Sequence, residues 1–363
     1  MSRQTRAIIH PQALQHNFAR LQPSLPSRAI AVIKADAYGH GAVAVATALS
    51  DLCTCFAVAI CDEVRPLRDA GITQPVVVLE GPHDMQDCQM AKASNSILVV
   101  HNSVQLDWLT TLPVSQRPEV WLKVDSGMHR LGFSVDDAIA LLASHEWLTE
   151  QPCVLVTHFA CADEPDNPFN TAQFDAFNRI AAATNLPVCV ANSAATLTHP
   201  DQWGAWCRLG IGMYGASPLA NKTAAQLELQ AAMTLQAEVI GLHNVKKGES
   251  VGYSQSWKAP RDSVIATVGI GYADGYPRHC PTGTPVVIRG HRAPLVGRVS
   301  MDMITIDVTD IPDVALQDTV ELWGRQLPVD EVAQCAGTIS YELTTRVSTR
   351  VPRTVEQAAR DNP

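Results

Sequence analysis

At 363 residues, with 46% hydrophobic and 17% charged side chains, the chain has enough apolar material for a large core, and its length favours two domains. Its 21 glycines and 23 prolines are ordinary proportions, so disorder, collagen-like repeats and coiled coil are excluded. A formal net charge of -9, with no basic surplus on either side of Leu229, argues against a nucleic-acid partner. The apolar stretches fall short of the roughly 18 residues a membrane helix requires, and the opening MSRQTRAIIHPQ lacks the apolar core of a signal peptide. The chain therefore reads as soluble and cytoplasmic, with no membrane partner. Its ten cysteines, from Cys53 to Cys335, include no C-x-x-C pair and read as small buried hydrophobes in a reducing compartment.

Arg6 to His10 (RAIIH) reads as an opening strand that pairs with a later domain. Eight short apolar runs follow: Ala29 to Lys34, Cys55 to Ile60, Pro75 to Glu80, Ile97 to Val100, Glu119 to Val124, Cys153 to His158, Pro187 to Ala191 and Arg208 to Ile211. Near-continuous apolar runs suit parallel strands buried on both faces. The segments between them carry helix start signals, Ser134 with Asp137 and Asn170 with Gln173. Eight strand–helix repeats predict a (β/α)₈ barrel over residues 1–227, with a doubly wound sheet as its rival. Beyond Leu227 helical periodicity is nearly absent, and crowded alternating strands such as LQAEVIGL, SVIATVGIG and TVELWG predict a mostly antiparallel β domain over 228–363.

In a barrel, polar residues at the carboxyl ends of the strands converge on one mouth. Here those ends carry Lys34, Lys123 with Asp125 and Arg130 beyond it, His158, Asn192 with Ser193, and Arg208. After five apolar strand residues the Lys34 ammonium is either paired, by Asp36 or a loop carbonyl, or neutral and nucleophilic, able to form a Schiff base. RLGIGMYG, from Arg208 to Gly215, fits G-x-G-x-x-G but no helix is expected after it, so dinucleotide binding is disfavoured. Phosphates in barrels bind after strands seven and eight, which suits the Ser193 hydroxyl and the backbone N–H groups of Gly210 and Ile211. His158, His129 and Asp125 offer no H-x-H or H-E-x-x-H pattern, so no metal is expected.

Taken in order, VIKADAYGHG, LKVDSGMHRLGF, THFA, ANSAAT, RLGIGMYG, GYSQSW, GYADGYPR, GRVSMDM and ISYE resemble the alanine racemase family over nearly the whole chain. The resemblance implies a (β/α)₈ barrel with a β domain, pyridoxal phosphate as cofactor and alanine as substrate, for peptidoglycan supply or alanine catabolism. It makes Lys34 the lysine that bonds the cofactor and Tyr253 the opposing base. Tyr38, Asn192, Ser193, Gly210, Ile211 and Tyr341 would bind the cofactor and hold its phosphate, with Arg208 at the pyridine nitrogen and His158 supporting Tyr253. Arg130 would bond the cofactor's phenolic oxygen and approach the substrate carboxylate, held by Lys123, which is carbamylated in many members. Met301 would bind substrate and Tyr272 would line the access corridor. The family's head-to-tail homodimer implies that Tyr253, Tyr272 and Met301 act in the partner's barrel.

These roles suit racemisation, which removes a proton from one face of Cα and returns one to the other, so two bases must flank it. Two rivals share parts of the pattern. A barrel decarboxylase of basic amino acids needs no Tyr253 opposite the lysine, and a non-catalytic carrier of the cofactor usually lacks the second domain.

Overall fold

The computed structural model describes residues 3–22, 28–199 and 204–357. The chain opens with β1 (Arg6–Ile9) and the helix Pro11–Leu21, whose Ala13, Leu14, Phe18 and Leu21 form one buried stripe. Eight strands then alternate with helices: β2 (Arg28–Val32), β3 (Phe56–Val58), β4 (Val76–Val78), β5 (Ser96–Val100), β6 (Val120–Lys123), β7 (Cys153–Val156), β8 (Val188–Cys189) and β9 (Trp206–Leu209). All are parallel, and β9 pairs back onto β2 through Arg28–Ala31 against Trp206–Leu209, closing the barrel. Burial of every residue in β3, β4, β5 and β7 accounts for the continuous apolar runs that betrayed them. The expected barrel is present, and a doubly wound sheet is excluded by the closure.

Helix caps follow the expected chemistry with one correction. Ser134 caps Val135–Ser144, its Oγ accepting from Asp137 N at 3.1 Å. The helix Pro168–Thr184 is capped by Asn167, with Pro168 at its first position, rather than by Asn170. Asn170 lies one turn inside and donates to the carbonyls of Cys161 and Glu164, while Gln173 donates to the carbonyl of His158 at 3.2 Å. Both residues thus fasten the loop that follows β7.

The second part is built on β10 (Met233–Val245), 13 residues long and bulged at Leu235/Gln236 and Val239/Gly241. The remaining strands are β11 (Ser250–Val251), β12 (Trp257–Lys258), β13 (Ser263–Val268), β14 (Pro285–Ile288), β15 (His291–Pro294), β16 (Ile304–Asp307), β17 (Thr319–Trp323) and β18 (Arg353–Val355). The main sheet runs β15-β14-β17-β10-β1-β18, and β13 and β16 extend the far half of β10. Pairing is antiparallel except where β1 meets β18. The opening strand therefore belongs to this sheet, as RAIIH suggested. Two helices, Val329–Ala336 and Ser340–Thr345, correct the expectation that helical structure is nearly absent here. At eight and six residues they are too short to display a period. No helix of the described residues is long and apolar enough to cross a membrane.

The helix Ser340–Thr345 packs over the end of β2, so that a Cβ at Gly39 would lie 2.1 Å from the Thr344 carbonyl oxygen. Gly39 also has φ +79°, and the Arg353 Nε donates to its carbonyl at 2.9 Å. Gly41 has φ +94° but meets only the Ala44 Cβ at 3.8 Å. Gly41→Ala should therefore cost about 1 to 2 kcal/mol from backbone strain alone, whereas Gly39→Ala adds a backbone clash and should exceed about 4 kcal/mol. Thermal unfolding of the cofactor-free variants checks this ranking, and equal losses would contradict it.

Candidate active site

Lys34 lies two residues beyond the end of β2, at the carboxyl end of the barrel. The next four residues, Ala35, Asp36, Ala37 and Tyr38, hold φ between 52° and 54°, a left-handed turn made without glycine. Such a conformation costs an L-residue about 1 to 2 kcal/mol each, so its surroundings must enforce it. Glu63 accepts from Ala35 N at 2.6 Å, Asp36 accepts from Ala42 N at 2.7 Å, and Ala37 N reaches the Ile33 carbonyl at 2.8 Å. The sequence offered Gly39 and Gly41 as turn signals but no sign of a left-handed run.

Glu63 and Asp36 thus spend their oxygens on backbone N–H groups beside Lys34. Among the described residues no carboxylate or carbonyl holds its ammonium in an ion pair or hydrogen bond, so the expectation of a partner in Asp36 is not met. Burial, reinforced by the Arg130 charge, pushes the Lys34 amine below its ordinary range. Lys123, at the end of β6, is driven down to about 7 by burial and by Arg208. A lysine near neutrality at working pH is a base and a nucleophile.

Arg208 is 4% exposed in β9. Its Nη1 donates to the Cys189 carbonyl at 2.8 Å, and its Nη2 to the carbonyls of Thr157 at 2.8 Å and Val190 at 3.2 Å. The same Nη2 lies 3.2 Å from His158 Nδ1. Burial and the Arg208 charge hold His158 well below its ordinary pKa, so it stands neutral as an acceptor toward that guanidinium. Arg130 sits exposed on the loop after β6, whose shape Asp125 fixes by accepting from the backbone N–H of Gly127 and His129.

Next to this cationic group lies a small polar cradle. Gly210 N donates to Ser193 Oγ at 2.6 Å, and a Cβ on Gly210 would come within 2.9 Å of Tyr38 Oη. The Tyr38 ring stacks on Tyr214, centroids 4.7 Å apart, and stands 5.9 Å from Tyr341. Burial raises both phenols, Tyr341 to about 12, so they are protonated donors. Asn192 Oδ1 is engaged in capping Ser193–Thr198, and Ile211, which follows Gly210, is buried.

The structure therefore brings Lys34, Tyr38, Lys123, His158, Ser193, Arg208, Gly210 and Tyr341 to one mouth. Arg130 reaches it through its charge, which depresses Lys34, Lys123 and His158. Tyr253, Tyr272 and Met301 are elsewhere, in the β domain, with 65%, 40% and 54% of their surface exposed. None of the three makes a hydrogen bond or ring contact with the barrel among the described residues. Their turns are neighbours: Tyr272 N donates to Ser300 O and Ala273 N to Met301 O, and Gly252 and Gly297 bring the Tyr253 turn against Arg298. The imagined metal trio is not assembled, because His129 pairs with Asp125 at 3.0 Å while His158 faces Arg208. Among the described residues no cluster of His, Cys, Asp or Glu is placed to hold an ion.

Residues 9–218 match the family model described as alanine racemase, N-terminal domain, and residues 232–355 the one described as alanine racemase, C-terminal domain. The alanine racemase of Alteromonas mediterranea is 56% identical over 358 residues, covering 98% of this chain and 99% of that one. That of Chromohalobacter salexigens is 46% identical over 363 residues, covering 99% of each. Among solved structures, biosynthetic alanine racemase from Pseudomonas aeruginosa superposes with a TM-score of 0.93 at 43% identity, covering 98% of this chain and 100% of that one. Both halves, in one order and nearly end to end, agree with a barrel mouth built around an unpaired lysine: the chain belongs to the alanine racemase family, isomerases that depend on pyridoxal phosphate.

Proposed function

We propose that the chain interconverts L-alanine and D-alanine, with pyridoxal phosphate held at the barrel mouth and the reaction completed by a second copy of the chain. The name of the Pseudomonas aeruginosa relative, a biosynthetic alanine racemase, favours supply of D-alanine over catabolism. The observation that carries the proposal is Lys34: a half-buried amine with a lowered pKa and no hydrogen-bonded carboxylate among the described residues, beside a cradle of donors. The residues fit the cofactor, since an anion takes donors from Tyr38 Oη, Ser193 Oγ and Gly210 N in a space that any side chain at Gly210 would fill. Ile211 N and Tyr341 complete that cradle, and Asn192 fixes it by capping the helix that carries Ser193.

Bound there, pyridoxal phosphate supplies an electron sink for negative charge at the substrate Cα. Lys34 Nζ handles the Cα proton from one side, and the partner's Tyr253 Oη handles it from the other. Arg208, a guanidinium donor, would face the ring nitrogen, hold it as an acceptor and so restrain side reactions. His158, neutral and accepting from Arg208 at Nδ1, carries its proton on Nε2, which donates toward the Tyr253 oxygen and supports its role as a base. Arg130 draws the substrate carboxylate, with Met301 and Tyr272 of the partner subunit closing the pocket. The exposure of Tyr253, Tyr272, Met301 and Met303 on one chain supports a homodimer, because an apolar patch of this kind is normally covered. The domains divide after Leu227, and the chain works in the cytoplasm, where its ten unpaired thiols stay reduced.

Lys123 lies among cations, and its nearly neutral amine takes up carbon dioxide, forming a carbamate and releasing a proton. Uncarbamylated, it strains the fold: below about pH 7 it is charged in both states and the burial penalty is full. As pH rises from about 7 toward the unfolded-state value only the unfolded chain keeps the proton, so stability increases. Lys123→Met in bicarbonate-free, cofactor-free protein should raise the thermal midpoint at pH 7, with the gain fading toward pH 10. Bicarbonate should raise the wild-type midpoint alone.

Two tests bear on the catalytic pair. The protein should be yellow, and borohydride reduction should bleach that band and leave a pyridoxyl label on Lys34; a Lys34→Ala protein that kept the band would remove the assignment. Tyr253→Phe should slow proton exchange from one enantiomer by about 10²-fold or more and from the other by much less. Equal and mild effects in both directions would take Tyr253 out of that role.

A further inference from the structure

The carboxylate of Asp274 is 0% exposed and lies outside the site described above. Arg3 grips it bidentately, Nη1 to Oδ1 and Nη2 to Oδ2, both at 2.8 Å, and Gly271 N donates to Oδ2 at 2.9 Å. Arg350 Nε stands 3.6 Å from Oδ1, and its Nη2 donates to Asp302 Oδ1 at 2.8 Å. Arg3 Nη2 also reaches the Asp302 carbonyl at 3.1 Å. Two arginines thus join Asp274, in the turn that begins with Tyr272, to Asp302, the neighbour of Met301.

The two turns are interlocked as well as tied. Tyr272 N and Ala273 N donate to the carbonyls of Ser300 and Met301 at 3.1 and 3.0 Å, and a Cβ at Gly271 would lie 2.4 Å from both oxygens. Gly271 therefore admits no side chain without pushing the turns apart. A buried ion pair gives weak net stability, since desolvation offsets most of the attraction. What a bidentate network at this place supplies is fixed geometry, and the side chains it fixes, Tyr272 and Met301, point outward.

We propose that Asp274, clamped by Arg3 and Arg350, is a positioning residue that sets Tyr272 and Met301 at the height needed by the partner's substrate pocket. This deepens the dimer reading above and rests on it. The clamp reaches from the first described residue of the chain to a surface more than 260 positions later, so the opening segment acts on substrate binding without touching substrate.

The test uses the full-length, cofactor-loaded protein with Arg3→Met and Arg350→Met, because Asp274→Asn risks misfolding. Each should raise KM for alanine about ten-fold or more with a smaller change in kcat. Absorbance of the bound cofactor and dimer mass should stay as in the wild type. Arg3→Lys, which keeps the charge but not the fork, should restore only part of the affinity. Hydrogen exchange of the cofactor-free variants should quicken at 270–275 and 299–303 and stay unchanged in the barrel strands. Unchanged KM and unchanged exchange at both turns would overturn the clamp, as would faster exchange across the whole β domain with kcat and KM moving together. Tyr272→Ala separates the two readings. If it raises KM while the arginine variants do not, the clamp alone fails; if it leaves KM untouched, the assignment of these turns to the partner's pocket fails.

Discussion

Positive charge at the barrel mouth, gathered without enough carboxylate to meet it, is the constraint on which the site depends. Lys34, Lys123, Arg130 and Arg208 act on one another and on His158. Nearby acids are engaged elsewhere: Glu63 accepts from the backbone of Ala35 and Ala59, Asp125 from that of Gly127 and His129, and Glu80 pairs with His83. Burying cations in this way is unfavourable, and two relaxations follow from it. The lysines and His158 hold their protons less tightly, which favours the amines as bases, and the mouth gains affinity for anions, which suits a phosphate and an amino-acid carboxylate. Reactivity and recognition thus share one electrostatic origin.

Keeping such a group in place requires rigid backbone, and both parts of the fold contribute. The left-handed turn Ala35–Tyr38 swings the Tyr38 ring against Tyr214, whose Oη donates to the Val32 carbonyl at 2.8 Å. Helix Ser340–Thr345 then closes on Gly39 with no room for a Cβ, bringing Tyr341 to the same cradle. Arg353 joins the Gly39 carbonyl to those of Val347, Ser348 and Val351, so the β domain braces the strained turn it covers. Strain stored at the lysine is balanced by contacts from the other end of the chain.

The sequence disclosed what depends on burial and hid what depends on long-range contact. Runs such as PVVVLE and CVLV show their strands because both faces are covered, and eight of them suffice for the barrel. Lys34 and His158, which close their runs, and Arg208, which opens the last, followed from the strand count. The free state of Lys34 did not, because it turns on Asp36 and Glu63 choosing backbone partners 28 positions or fewer away. Asn170 looked like a cap because a capping pattern is local, while the bonds it makes reach back across a loop. The helices Val329–Ala336 and Ser340–Thr345 were invisible at two turns each. Nothing in ordinary periodicity announces four left-handed residues or a pairing of Arg3 with Asp274.

The geometry divides the work between two directions. Tyr341 turns inward, to the barrel of its own chain, while Tyr253, Tyr272 and Met301 stand on a separate face of the same domain. Among the described residues, the barrel mouth of one chain holds Lys34, the anion cradle and a His158 that faces Arg208, without Tyr253. The β domain carries the exposed Tyr253 phenol on a turn of its own. On the proposed reading each part supplies what the other lacks, and an isologous pair, the smallest closed assembly, would complete two sites at once. Under that proposal the need for proton transfer on both faces of one carbon is answered by symmetry between chains.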